Sequence, residues 1–152
     1  MFDIKKVFIL FSLVLILGTI SAEGYMIDEL FNNPEFAKEQ YNANLDKMPG
    51  ALRKFTGNEK IQLNVDYGTE IKSITLVMKD GAMDSYSTDG TVEPTLIVDT
   101  YPQTIDNLIK SNTPVNDFKT AVKEKTLKYR SVGFFKKIKF GFARFALNFF
   151  KQ

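Results

Sequence analysis

Residues 93–140 read EPTLIVDTYPQTIDNLIKSNTPVNDFKTAVKEKTLKYRSVGFFKKIKF. Leu96 and Val98 share one face of a run from Thr95 to Thr100, which predicts a half-buried strand. Ile105, Leu108 and Ile109 then mark a helix after Tyr101-Pro102, and Val115, Phe118, Ala121 and Val122 mark a second after Thr113-Pro114. Thr126 to Val132 reads as a last strand, and Phe134 opens a last helix. Every one of these elements carries an apolar stripe and none carries a catalytic constellation. The pattern suits enclosure of something apolar better than a reaction centre.

Working outward toward the N-terminus, the alternation becomes sharper. Ile61, Leu63 and Val65 alternate with polar residues, as do Ile74, Leu76 and Met78, and a third short strand covers Ala82 to Ser87. Asp66-Tyr67-Gly68, Lys79-Asp80-Gly81 and Thr88-Asp89-Gly90 supply the Asp and Gly that tight turns need for positive φ. Before them, Tyr25 to Met48 reads as helix with Ile27, Leu30, Phe31, Phe36, Tyr41 and Leu45 as its apolar set, interrupted at Pro34. Met48-Pro49-Gly50 is then a turn, and Ala51 to Phe55 a short helical turn closed by Gly57.

Met1 to Ala22 has the order of a secretory signal peptide: Lys5 and Lys6, an apolar run from Val7 to Ile20, then Ser21-Ala22. A helix of about 14 residues spans about 21 Å, short of the ~30 Å hydrocarbon core, which favours cleavage near Ala22 over an uncleaved anchor. The protein is thus expected to be exported, secreted or peripheral on the outer face of a membrane. The remaining chain, about 130 residues from 23 to 152, is enough for one domain with a real core.

Composition removes several function classes. The chain has no Cys, so export brings no disulfide framework. It has no His either, which removes the commonest general base and metal ligand and every Ser-His-Asp or Cys-His nucleophile system. Asp80, Asp84 and Asp89 are close in sequence but lack the spacing of a calcium loop, and two of them precede Gly in turns. No cofactor, metal or catalytic residue is expected. Tyr86 and Tyr129 are able to offer hydroxyls to a polar headgroup, although a strand tyrosine more often packs its ring and wets its tip.

Net charge is +2, and the basic character is concentrated in residues 133–152, where Lys136, Lys137, Lys139, Arg144 and Lys151 stand without an acid. On a helix Phe134, Ile138, Phe142, Phe145 and Phe149 form one stripe, with Lys137, Arg144, Asn148 and Lys151 opposite. Phe134, Phe135, Phe140, Phe142, Phe145, Phe149 and Phe150 cannot all share one face, so some rings must meet ligand, lipid or a partner. A core-packing helix with a basic edge is the plain reading. The functional one is an interfacial helix in which Phe142, Phe145 and Phe149 enter the headgroup region while Lys137, Arg144 and Lys151 attract anionic lipid. Nucleic acid is not an expected partner of an exported, Phe-dominated segment.

The order helix, three-stranded meander, strand, two short helices, strand, terminal helix resembles the sterol carrier protein 2 family over roughly residues 35–145. The matching pieces begin with IKSITLVMKDG at 71–81, similar to the family's second strand and turn, and continue with TLIV at 95–98 and IDNLIK at 105–110. The segment from Pro114 to Val122, followed by TLKYR at 126–130, resembles the family's Pro-x-x-Ala-Phe helix and its last strand. Pro94 and Ser131 stand where the family often carries Asp and Gly.

The resemblance implies an α+β fold with a five-stranded, mostly antiparallel sheet covered by helices, and an apolar tunnel for sterols, fatty acids or acyl chains. The inward residues expected to line it are Leu63, Val65, Ile74, Leu76, Met78, Leu96, Val98, Leu108, Phe118, Val122, Leu127 and Tyr129, joined by Phe134, Phe135 and Ile138 of the terminal helix. An empty tunnel of roughly 400 Å³ would cost about 10 kcal/mol, which rivals the whole stability of a domain. Such a tunnel must be filled, partly collapsed or offset elsewhere. The expected function is a monomeric, non-enzymatic lipid carrier that docks on membranes; the alternative is an envelope scaffold or interaction domain with a filled core.

Overall fold

The computed structural model describes residues 24, 25, 27–47 and 57–132. The signal segment, the turn at 48–55 and the terminal helix from Phe134 lie outside the described residues.

Two helices open the described chain. α1 covers Asp28–Asn32 and α2 covers Pro34–Ala43, with the Asn33 side chain accepting from the Phe36 N–H and Pro34 in the first turn. Pro34 divides the expected long helix because it supplies no N–H and sets φ for a new start. The break resets the helical phase. On α2 it is Ala37 and Tyr41, one turn apart, that are buried, whereas Phe36 is 37% exposed instead of belonging to the core stripe. A short 3₁₀ turn, Leu45–Lys47, follows.

The sheet is built from β1 (Lys60–Asp66), β2 (Ile71–Lys79), β3 (Ala82–Ser87), β4 (Leu96–Thr100) and β5 (Leu127–Ser131). Their spatial order is β3-β2-β1-β4-β5, with β1 and β4 parallel and the other three pairings antiparallel. The first two hairpins turn where expected. Gly68 has φ 85°, and Asp80 and Gly81 have φ 52° and 85°, the paired positive values that match strand twist in a two-residue turn. Between Val77 and Met78 the register with β3 shifts, so Asp84 is an extra residue in a bulge.

Helices α3 (Pro102–Lys110) and α4 (Pro114–Lys123) connect β4 to β5. Each begins with Pro, which accepts the first helical position without loss of a hydrogen bond. Ile105 and Leu108 of α3 and Phe118 and Ala121 of α4 are buried at the 3–4 spacing of one helix face.

Register explains why the sheet has one greasy face. Ile61 stands opposite Leu76 on one side and Leu96 on the other, and Leu63 opposite Ile74 and Val98. Because side chains alternate, these positions point the same way and the intervening ones point outward. The outer face carries a polar ladder instead: Asn64 Nδ2 donates to Asp99 Oδ1 at 2.7 Å, Ser73 Oγ donates to Asn64 Oδ1 at 2.8 Å, and Gln62 Nε2 donates to the same oxygen at 2.9 Å.

The edge strand β3 is fastened from the side. Asn42 of α2 donates through Nδ2 to the Met83 carbonyl and accepts the Met83 N–H at Oδ1, both at 2.9 Å, as a neighbouring strand would. Tyr41 adds a buried bond from its hydroxyl to the Gly81 carbonyl at 2.8 Å. These contacts satisfy exposed edge groups and set α2 over the inner face.

Candidate apolar site

Of the residues expected to line the interior, Leu63, Val65, Ile74, Leu76, Met78, Leu96, Val98, Leu108, Phe118 and Leu127 are all buried, with 0–4% of their surface left. They belong to one cluster, and Val122 and Tyr129 pack against it from its margin. Tyr129 stacks on Phe118 with ring centroids 6.4 Å apart and planes at 23°. Phe134, Phe135 and Ile138, and the membrane-contact residues Phe142, Phe145, Phe149, Lys137, Arg144 and Lys151, lie outside the described residues.

The same cluster contains side chains that were not assigned to the interior site from sequence. Ile27 and Leu30 of α1, Ala37 and Tyr41 of α2, Ile61 of β1, Met83 of β3, and Ile105 and Ala121 of the later helices all join it. Ile61 was legible as an inward residue of β1. Met83 was not, because the bulge at Asp84 shifts the alternation of β3 and turns Met83 and Tyr86 to the same side.

The interior is closed at these positions. A side chain lining a water-sized channel keeps accessible surface, and these keep almost none. An apolar guest therefore has to displace part of what covers the cluster. The chemistry on offer is apolar contact at roughly 25 cal/mol per Å² removed from water, with no charged side chain inside the cluster.

Polar groups gather where β1 and β4 end. Tyr67, just after β1, donates its hydroxyl to Asp28 Oδ1 of α1, while Asp28 Oδ2 accepts the Tyr25 N–H at 3.1 Å. Gln103, in the first turn of α3, donates from Nε2 to the Tyr25 hydroxyl at 2.8 Å. The Tyr25 and Tyr67 rings meet edge to face at 6.3 Å, and Lys72 Nζ sits 5.0 Å from the Tyr67 ring centre. Burial pushes the Tyr67 hydroxyl well above the ordinary tyrosine range, and the bond to Asp28 and that carboxylate's charge push it further. Nothing local in the sequence announces this cluster, since Tyr67 lies 39 residues from Asp28 and Gln103 lies 78 from Tyr25.

Tyr86 and Tyr129 are half-buried on the inner side, opposite Leu76 and Val98 respectively. The acids read as turn residues behave as such. Asp80 occupies a positive-φ turn position, and Asp89 accepts from Ser87 Oγ, Thr91 N and Thr91 Oγ1. Those bonds hold the Asp89 carboxyl down at about 2. Among the described residues no group of three or more metal-ligating side chains comes together, and no described helix is long and apolar enough to cross a membrane.

No family model matches the chain, and no curated protein matches it. Two solved structures are similar in chain path. One is UbiJ-SCP2, a ubiquinone synthesis protein, with a TM-score of 0.46 and 12% identity over 65% of this chain and 85% of that one. The other is the solution structure of the sterol carrier protein domain 2 of Helicoverpa armigera, with a TM-score of 0.49 and 13% identity over 85% of this chain and 91% of that one. Residue roles rest on this chain's own geometry.

Proposed function

We propose that the protein is an exported, non-enzymatic lipid-binding or lipid-transfer protein that takes a sterol, fatty acid or acyl chain between the inner face of its sheet and the covering helices. The observation that carries this reading is the one-sided sheet. Ile61, Leu63, Val65, Ile74, Leu76, Leu96, Val98 and Leu127 make a continuous apolar floor with no ionisable member. An acyl chain laid on such a floor gains ~0.8 kcal/mol for each CH₂ kept from water, so a long chain gains about 10 kcal/mol. That offsets what it loses on leaving a bilayer, and transfer becomes nearly thermoneutral.

The absence of His and Cys leaves no thiolate nucleophile and no imidazole base to act on the guest. The Phe-rich, basic tail from Phe134 is the segment suited to membrane docking, so that a guest need not cross open water. Export rests on the signal-like order of residues 1–22.

A second reading is favoured by a specific observation: the inner residues retain 0–4% of their surface, which is how the filled core of a scaffold or interaction domain looks. Native mass spectrometry of the gently purified full chain separates the two. A carrier retains lipid adducts that organic extraction removes, whereas a scaffold appears as ligand-free protein or as a complex with another chain.

A further inference from the structure

The elements that cover the apolar floor are held by unequal means. α2 is tied to the backbone of β3 through Tyr41 and both ends of the Asn42 amide. α4 runs directly into β5, and Thr126 fastens the junction with bonds from both its N–H and its hydroxyl to the Ala121 carbonyl. α1 is different. It is five residues long, its first turn has no side-chain cap, and its backbone bonds stay within Tyr25 to Asn33: Asp28 N to Tyr25 O, Leu30 N to Ile27 O and Asn33 N to Glu29 O. A single turn of helix has no stability of its own.

Yet α1 contributes Ile27 and Leu30, which are 0% and 1% exposed, to the same cluster as the proposed site. Among the described residues, the hydrogen bonds that join this segment to the sheet and to α3 are Tyr67 to Asp28 and Gln103 to Tyr25, both between side chains. Their placement follows from topology. β1 and β4 are parallel neighbours, so Tyr67 after one and Gln103 after the other stand at the same end of the sheet. The two bonds bring the segment to that end, where Val65 and Thr100 are the last buried inward residues of the two strands.

Gly24 supports the arrangement. Its φ of 115° is one that L side chains rarely adopt, and a Cβ there would meet Asp28 Oδ2 at 3.0 Å.

We infer that Ile27 to Asn33 is an entry strap for the apolar interior, latched shut by the Asp28–Tyr67 and Tyr25–Gln103 hydrogen bonds. Releasing those side-chain bonds lets Ile27 and Leu30 lift without unpairing any strand, and the space they leave adjoins the apolar floor. This is the local opening of the least stable covering element, not global unfolding. The inference rests on the lipid-binding reading for what enters, but not for the latch itself.

The test compares the full chain with Tyr67→Phe and, as an independent variant at the other bond, Gln103→Ala. Hydrogen–deuterium exchange is followed without ligand, and the uptake rate of cis-parinaric acid is followed by fluorescence. The inference expects exchange of the amides at 27–33 to rise about tenfold in both variants while β1 and β2 amides keep their protection, with faster uptake in step. Unchanged exchange at 27–33, or a rise shared equally by the sheet, overturns the latch. If the parent chain takes up no fatty acid while the selective rise is seen, the latch stands and the lipid-binding reading falls. If the parent takes it up and both variants match it in exchange and rate, the lipid-binding reading stands and the latch falls.

Discussion

Tyr67 shows how one hydroxyl joins distant parts of this chain. Its pKa is raised by burial first and then by Asp28, with Glu70 and Asp106 adding charge from further away, while Lys72 lies against the ring face. A raised value means that the folded state holds the proton more tightly than the unfolded chain. The stabilisation is therefore complete below the ordinary tyrosine value of about 10 and is lost as pH climbs above it toward the folded value. Urea midpoints should accordingly fall more steeply above pH ~10 in the parent chain than in Tyr67→Phe. At neutral pH that variant should lose about 1 kcal/mol, less than the roughly 1.5–3 kcal/mol of a fully buried bond to a charged acceptor, because both partners are only partly buried. Equal slopes would show that the Tyr67 hydroxyl carries no such linkage.

Apolar residues provide the contrast at the same scale. Leu63 is 1% exposed in the middle of the inner face, so Leu63→Ala should cost about 2–5 kcal/mol in chemical denaturation. Ile71, 65% exposed at the start of β2, should tolerate Ala within ~0.5 kcal/mol. A comparable loss at both positions would mean that the division of the sheet into inner and outer faces is wrong.

Among the elements, the edge strand β3 is guarded by a side chain of α2. Asn42 stands in for a missing strand beside β3, and Asn42→Ala removes both bonds at Met83. We expect a loss of about 1–3 kcal/mol and concentration-dependent self-association in sedimentation, since an edge with open backbone groups templates pairing. A destabilised variant that remains monomeric at all concentrations would remove the edge-guarding role. The terminal segment is tested at this scale too. Phe142→Asp combined with Phe145→Asp should abolish binding to anionic vesicles while leaving the far-ultraviolet circular dichroism of the sheet intact, and unchanged vesicle association would count against docking through that segment.

What was legible at this scale had local causes. Period-two alternation in β1 and β2, the Asp-Gly pairs of the turns and the Pro residues opening α2, α3 and α4 each act within a few residues. The third strand was found at its observed bounds, 82–87. What escaped was set by tertiary context: the side of β3 on which Met83 lies depends on a bulge, the phase of α2 depends on the restart at Pro34, and the Asp28–Tyr67 bond depends on which strand ends meet.

Across the whole molecule, ten buried inner residues read from sequence fall in one cluster, and their closure turns the question of a cavity into one of opening. Held shut, the interior avoids the roughly 24 cal/mol per Å³ that an empty cavity costs, and under the proposed function a guest would replace contacts instead of filling a void. The polar outer ladder and the apolar inner floor give the two faces different surroundings, polar groups on one and the apolar side chains of the covering helices on the other.

The most direct measurement is methyl-resolved NMR of the purified full chain titrated with a long-chain fatty acid. Binding between sheet and helices predicts saturable shifts at Leu63, Val98, Leu108 and Leu127 of the inner cluster, with Ile71 on the outer face unmoved. Inner methyls that stay in place while only surface signals respond would contradict the account.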